Sequence, residues 1–303
     1  MLLKQTQSIL NRKKLHGIAF MSAATFLFAV VDAIAKPISL RYPPNEIMFF
    51  RMLFGLAPAV FLCRFGMAQQ KELKVHRFGG HFLRAVLALG SMGLFFAGLP
   101  HMPLATAVTL QYTEPIFISI FAIIFLSERF CIAIAVASAA GFIGVSLVSP
   151  PLSGSNQSLL AVTLIVLSAM FGAGSVIQIK KLSRTEEPAV IVLYFTIIAT
   201  ILSGLSLLVA WVTPSVEDLG HMALLGVAAG VGQLMLTIAF KNATASLLAP
   251  FSYFGVVWAI FFGYLFWSEV VSIRAALGSI VIIGGALYLG ISNKAADETN
   301  AAA

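Results

Sequence analysis

Charge is scarce in this chain. Only 10% of its 303 residues are Asp, Glu, Lys or Arg, whereas a soluble domain draws about a quarter of its residues from these types to cover its surface. The shortage excludes an exterior wetted all round and calls for lipid over much of it. Cysteine is scarcer still: Cys63 and Cys131 stand in or beside apolar segments, which argues against a disulfide framework and for two small core residues. There is no Gly-Lys dipeptide, hence no phosphate-binding loop for an ATP-driven pump. Gly-x-Ser-x-Gly and His-Glu-x-x-His are also missing, so neither hydrolase constellation is present. The five histidines (His16, His76, His81, His101 and His221) lie near segment ends without ligand spacing. No catalytic residue, cofactor or metal is expected. A carboxylate pair, Asp32 with Glu114, keeps an intramembrane hydrolase as a remote alternative, and a channel is another.

What is present is apolar. Hydrophobic residues make up 59% of the chain, gathered into ten segments, at 16–35, 46–63, 80–99, 104–126, 130–149, 158–179, 188–211, 219–239, 244–267 and 273–291. Runs of this length cross ~30 Å of hydrocarbon as helices at 1.5 Å per residue. Strands of a barrel would be about half as long and alternating. The expected fold class is therefore an all-α integral membrane protein with ten transmembrane helices. Short connections, such as Pro100 to Pro103 and Ser127 to Arg129, make consecutive helices antiparallel neighbours. The first segment is too long for a signal peptide and lacks a clear small-residue cleavage site, so a retained first helix is expected.

The net charge of +7 does not indicate a nucleic-acid partner, because the basic residues lie between apolar runs and form no stripe with exposed aromatics. With the N-terminus placed in the cytoplasm, fourteen Lys and Arg fall inside and three outside (Lys36, Arg41 and Arg274). That bias predicts both termini to be cytoplasmic.

The halves repeat. Segment 105–149 aligns with 246–290 at an offset of 141, matching Tyr112 with Tyr253, Ser127-Glu128 with Ser268-Glu269, and Gly144 with Gly285. Near the start of each half, Ala29, Lys36 and Ser39 match Ala173, Lys180 and Ser183 at an offset of 144. Each half holds five spans, an odd number, so the repeated unit enters the membrane in opposite senses. The expected organisation is a cytoplasmic tail (1–15), a first five-helix repeat (16–149), a periplasmic linker (150–157), an inverted second repeat (158–291) and a cytoplasmic tail (292–303). Two such bundles around a central site suit alternating access.

These residues carry a resemblance. Arg51 in the second span, Tyr112-Thr113-Glu114-Pro115, the closing Leu126-Ser127-Glu128-Arg129, and in the second half Ala249-Pro250-Phe251-Ser252-Tyr253 with Trp267-Ser268-Glu269 resemble the drug/metabolite transporter superfamily in its ten-helix EamA-type branch. The order, spacing and duplication carry the likeness over nearly the whole chain; no single motif does. One departure stands out. The proline thirteen residues before the closing Glu is present as Pro115 but replaced by Val256 in the second half, where Pro250 precedes Tyr253. That pattern is similar to members that take up cofactor-like metabolites such as S-adenosylmethionine or riboflavin. Other members export amino acids and related metabolites. The resemblance implies a secondary transporter of a small polar or aromatic metabolite in a bacterial inner membrane. Its expected partners are that metabolite and the lipid bilayer, with a homodimer left open.

Charges within spans are costly, about 2.5–3.5 kcal/mol each on insertion scales, so Asp32, Arg51, Arg84 and Glu114 are singled out. Glu114, near mid-span beside Pro115, can bind a cationic group or carry a coupling proton; a structural pair with Arg51 or Arg84 is the rival reading. Arg51 either binds a carboxylate or phosphate, or snorkels or pairs with Glu46 or Asp32. Asp32 and Lys36, four apart, share a helical face. Arg84 is expected to snorkel to the surface. Tyr112, Tyr253, Gln111, Phe254, Trp258 and Gln233 can stack on and hydrogen-bond a planar ligand, or simply pack. Trp211 and Trp267 read as interface anchors, Glu128 and Glu269 as caps or pairing groups, and Gly226-x3-Gly230 and Gly141-x2-Gly144 as close helix contacts.

Overall fold

A computed structural model of the chain describes residues 2–65, 76–98, 104–129, 131–148, 159–268 and 272–302. The expected linker 150–157, the Pro100–Pro103 turn, His101, Lys71, Lys74 and Glu269 lie outside the described residues. All regular structure among the described residues is helical: α1 (Leu2–Ile38), α2 (Pro44–Phe65), α3 (Phe78–Gly98), α4 (Leu104–Gln111), α5 (Glu114–Leu126), α6 (Ile132–Val148), α7 (Leu159–Leu182), α8 (Pro188–Ser206), α9 (Val216–Asn242), α10 (Ala245–Leu248), a 3-10 turn (Ala249–Tyr253), α11 (Phe254–Trp267) and α12 (Ile273–Ala302). Backbone N–H and C=O groups in hydrocarbon find partners only within the chain, and helices supply them locally. Seven of these units are long and apolar enough to cross a membrane, with Ala245–Phe266 counted as one; Glu114–Leu126, Ile132–Leu147 and Ile273–Leu289 are shorter apolar helices. Large apolar side chains such as Ile124, Phe125, Leu205 and Ile280 are exposed on the outside of the bundle, as a lipid-facing surface requires.

The fourth and ninth spans, read as continuous from sequence, are each broken. Pro115 has no N–H to give the carbonyl of Gln111, and its ring crowds that carbonyl. The chain instead tightens: Thr113 N donates to Leu110 O at 3.0 Å, and Thr113 Oγ1 to the same oxygen at 2.7 Å. α5 then starts at Glu114. In the ninth span the break is the 3-10 turn around Pro250. The prolines differ in position, yet the second helix starts within one residue of the same place under the 141-residue offset, after Thr113 and after Tyr253.

The inverted repeat shows in how the elements pair. α1 packs on α9 and α11, while its counterpart α7 packs on the counterparts α3 and α5; α6 packs on its own counterpart α12, and α2 on α8. At the α6–α12 contact a Cβ on Gly144 would lie 2.7 Å from the Gly278 carbonyl, and one on Gly285 would lie 3.4 Å from the Ala137 carbonyl. These two contacts exchange under the 141-residue offset, so the pseudo-two-fold axis runs through this interface. α5 and α11 end alike, on Ser127 (φ 57°) and Ser268 (φ 52°), whose N–H groups reach back to Ala122 O and Gly263 O, again 141 residues apart. Gly226 and Gly230 bring α9 onto α2, where a Cβ on Gly230 would lie 2.5 Å from the Gly55 carbonyl.

Gly144→Ala is expected to force α6 and α12 apart and lower stability by about 1–3 kcal/mol. Gly284→Ala, at a site with no neighbour within 4 Å, should melt like the parent protein. Thermal melts of the two purified variants in detergent check the contrast.

Candidate functional site

The break before α5 faces a cavity of about 430 Å³. Its wall includes Thr25, Phe28 and Asp32 of α1, Gln111, Tyr112, Glu114 and Pro115 at the break, Val176 of α7, Leu236 of α9, and Ser252 and Gly255 at the second break. A second chamber of about 250 Å³ adjoins it, lined by Arg51, Arg84, Ser91, Gly172, Ser175, Phe195 and Gln233 among others. Phe28, Glu114, Val176 and Leu236 belong to both walls. Glu114 therefore stands on the partition between a chamber carrying a carboxylate and aromatic surface and one carrying two guanidinium groups.

Glu114 is placed there by the local fold. As the opening residue of α5 its carboxylate lies at the positive end of the helix dipole, and it packs on the bare backbone of Gly172, where a Cβ would lie 2.7–2.8 Å from the carboxylate atoms. Gln111 Nε2 donates to Glu114 Oε2 at 3.2 Å, and Ser168 Oγ lies 2.9 Å from Gln111 Oε1, 2.7 Å from the Ser91 carbonyl and 3.2 Å from Ser91 Oγ. A polar chain thus runs from the partition across α4 and α7 to α3. Ser91 and Ser168 escaped sequence reasoning; serine in the middle of an apolar run is the signal that marks them.

Asp32 faces the larger chamber and Arg51 the smaller one, near enough for their charges to attract. Among the described residues no hydrogen bond holds either side chain. Glu46 is not Arg51's partner: it is buried and accepts from Val212 N at 2.9 Å.

Arg84 corrects the expectation drawn from sequence. It does not snorkel. It is 1% exposed, because α7 and α8 close over the second turn of α3. Nη1 donates to the Ile191 carbonyl at 3.0 Å, Nη2 to Gln233 Oε1 at 3.0 Å, and the guanidinium lies 4.2 Å from the Phe195 ring centre. Hydrogen bonds to a charged group contribute about 1.5–3 kcal/mol each and a desolvated cation–π contact about 2 kcal/mol. Together they are comparable to an insertion cost of about 2.5–3.5 kcal/mol, yet they leave the guanidinium without an opposite charge and its Nε without a partner.

The aromatic residues separate. Tyr112 lines the cavity. Tyr253 is fully buried behind it, its ring 6.1 Å from that of Tyr112 and laid on Gly141. Trp258 packs edge-on against Phe26 at 5.2 Å. Neither Tyr253, Phe254 nor Trp258 is among the residues lining the chamber. The structure thus brings Glu114, Gln111, Tyr112 and Asp32 onto one chamber and Arg51 and Gln233 onto the next, with the other three aromatics outside both walls.

At the end of the bundle away from Asp32, polar contacts tie the halves. Glu128 accepts from Ala245 N (2.9 Å), Ser246 N (3.0 Å) and Ser246 Oγ (2.6 Å), capping α10 of the opposite repeat. Within the second repeat itself, Lys180 Nζ donates to the Phe240 and Ala243 carbonyls at 2.6 Å each. Glu186 pairs with His81 and accepts from His76 N and Arg77 N.

Residues 15–149 and 159–291 each match the EamA-like transporter family. The chain belongs to that family. It is therefore a multi-pass membrane transporter rather than an enzyme. The pseudopaline exporter CntI of Pseudomonas aeruginosa is 31% identical over 281 residues, covering 92% of this chain and 97% of the exporter. A riboflavin transporter of Brucella anthropi is 30% identical over 89% of this chain and 96% of its own length. An S-adenosylmethionine uptake transporter of Rickettsia conorii is 28% identical over 93% and 95%. A protein of known crystal structure shares the fold, with a TM-score of 0.77 at 18% identity over 92% of this chain and 98% of its own.

Replacing Glu128 by Ala is expected to leave the first N–H groups of α10 without an acceptor and lower stability by about 1–2 kcal/mol. Glu128→Gln, which keeps one acceptor oxygen, should fall between, as read by melting of the purified proteins.

Proposed function

We propose that this EamA-family protein is a secondary transporter that moves a small polar or aromatic metabolite by alternating access. The observation that carries the reading is Glu114, set at a helix break on the partition between two chambers and flanked by the inverted halves. A helix break exposes backbone groups that a cavity can use, and a carboxylate there can take up a substrate cation or a proton. The chamber volumes together suit a metabolite of nucleoside or flavin size. Uptake of a cofactor-like compound such as S-adenosylmethionine or riboflavin is the preferred reading, supported by the relatives that carry those compounds. Export of an amino acid or related metabolite is the second, favoured by the 31% identical exporter. Residues from both halves of one chain line the two chambers.

We place the protein in a bacterial inner membrane with both termini in the cytoplasm, on the strength of the Lys and Arg distribution. Reporter tags at the N-terminus, the C-terminus and within 150–157 check this: the two ends should report the cytoplasm and the linker the opposite side. Ends on different sides would refute the inverted arrangement.

In proteoliposomes the protein should accumulate substrate against its gradient, which a channel does not do and an enzyme does not need. Glu114→Gln is expected to reduce accumulation at least about tenfold and to flatten its dependence on pH, because loss of one charged contact is worth about 1.5–3 kcal/mol. Arg51→Ala should raise the half-saturating concentration by a similar factor at unchanged expression. Unchanged transport and pH profile in Glu114→Gln would remove Glu114 from coupling.

A further inference from the structure

The smaller chamber holds an imbalance that the fold does not resolve. Three charged side chains line it, Arg51, Arg84 and Glu114. Arg51 is near enough to Asp32 for their opposite charges to attract, and Glu114 is hydrogen-bonded by Gln111, which lines the larger chamber. Arg84 is left with neutral acceptors only, one backbone carbonyl and one amide oxygen. Its Nε is buried without any hydrogen-bond partner, and it has no ion pair among the described residues. A fully buried guanidinium, opening on a cavity and lacking a counter-ion, is an incomplete electrostatic unit. A guanidinium also presents a planar fork of donors that matches carboxylate and phosphate oxygens. Gln233 steadies Arg84 from α9, Phe195 supports its face from α8, and the Ser91 and Ser175 hydroxyls stand in the same wall.

We propose that the Arg84 chamber is an anion subsite, which receives the carboxylate or phosphate of a transported metabolite whose body occupies the larger chamber. The proposal rests on the transporter reading and narrows it. The cargo is anionic at one end, and its other end meets Tyr112, Gln111 and the Asp32 and Glu114 carboxylates, so an amphoteric molecule with an aromatic or planar body fits both chambers at once. A neutral body alone would leave Arg84 uncompensated. Arg51 lines the same chamber, makes no hydrogen bond among the described residues, and adds a second donor group to the anion.

The test uses matched probes that differ only in the anionic group: riboflavin 5′-phosphate against riboflavin, S-adenosylmethionine against its carboxamide, and tryptophan against tryptophanamide. Thermal shift of the purified full-length protein reads binding, since a ligand of the folded state raises its melting point. The expected result is that at least one anionic probe binds about tenfold more tightly than its neutral twin. Arg84→Met should erase the preference, and Arg84→Lys should restore part of it. A structural role alone would lower the melting temperature of Arg84→Met without altering the ratio between twins. Equal shifts for all twins, including a panel in which none binds, would overturn the subsite. A preference that disappears when phosphatidylglycerol is added to lipid-free protein would mean that a lipid phosphate occupies the chamber, and would overturn it too. Accumulation of a neutral twin in proteoliposomes would sink the subsite while leaving the transporter reading intact.

Discussion

Every backbone amide and carbonyl within the hydrocarbon of a bilayer must find its partner inside the protein. The rest of this structure follows from that rule and from its two exceptions. Ten apolar runs become helices because a helix meets the requirement locally. Where Pro115 and the Pro250 turn interrupt the ladder, the freed groups are tolerated only because they face the interior of the protein and its cavity rather than lipid. The breaks therefore sit where the cavity is, and Glu114 and Tyr112 are delivered to its wall by the same interruption. The site is a consequence of the break, not an addition to a finished bundle.

The second organising fact is the odd number of spans in each half. It forces the repeats to run in opposite senses, and the observed pairings obey the exchange in detail. α1 on α9 mirrors α7 on α3, and Gly144 against Gly278 mirrors Gly285 against Ala137. Glycine at these positions lets the helices approach along the pseudo-axis without a side chain to hold them apart. In the described conformation the ends of the bundle are tied by different contacts, such as Glu128 capping α10 at one end and Arg41 with Asp218 at the other. Equivalent halves with unequal end contacts are the parts that the proposed alternating access would exchange.

The interior charges are divided unevenly between the two chambers. Asp32 and Arg51 attract one another across the partition without a hydrogen bond to fix either, Glu114 draws on an amide, and Arg84 is held by neutral groups and an aromatic face. In a low-dielectric interior such incompletely matched charges are expensive, and among membrane proteins they concentrate where substrates or ions pass. The polar chain from Glu114 through Gln111 and Ser168 to Ser91 ties the partition to α3, the helix that carries Arg84.

Much of the architecture was legible in the amino-acid order alone. The apolar runs and the 141-residue repeat follow from periods and rare charges, which hydrocarbon makes conspicuous. Glu114 was singled out because a carboxylate beside proline in mid-span has few uses there. The depth of Arg84 was not legible, because its distance from the helix start is compatible with snorkelling until α7 and α8 are seen to close over it. The separation of Tyr112 from Tyr253 was equally hidden: the two match by spacing, but Gly141 admits the Tyr253 ring into the packing behind its partner. The sequence by itself determined that the chain crosses a membrane in two opposed halves, because hydrophobic length and odd span number are properties of the linear order. Only the tertiary structure decided which polar side chains meet one another and which face open space, because that depends on the rotation of each helix against its neighbours, set by contacts between residues far apart in the chain.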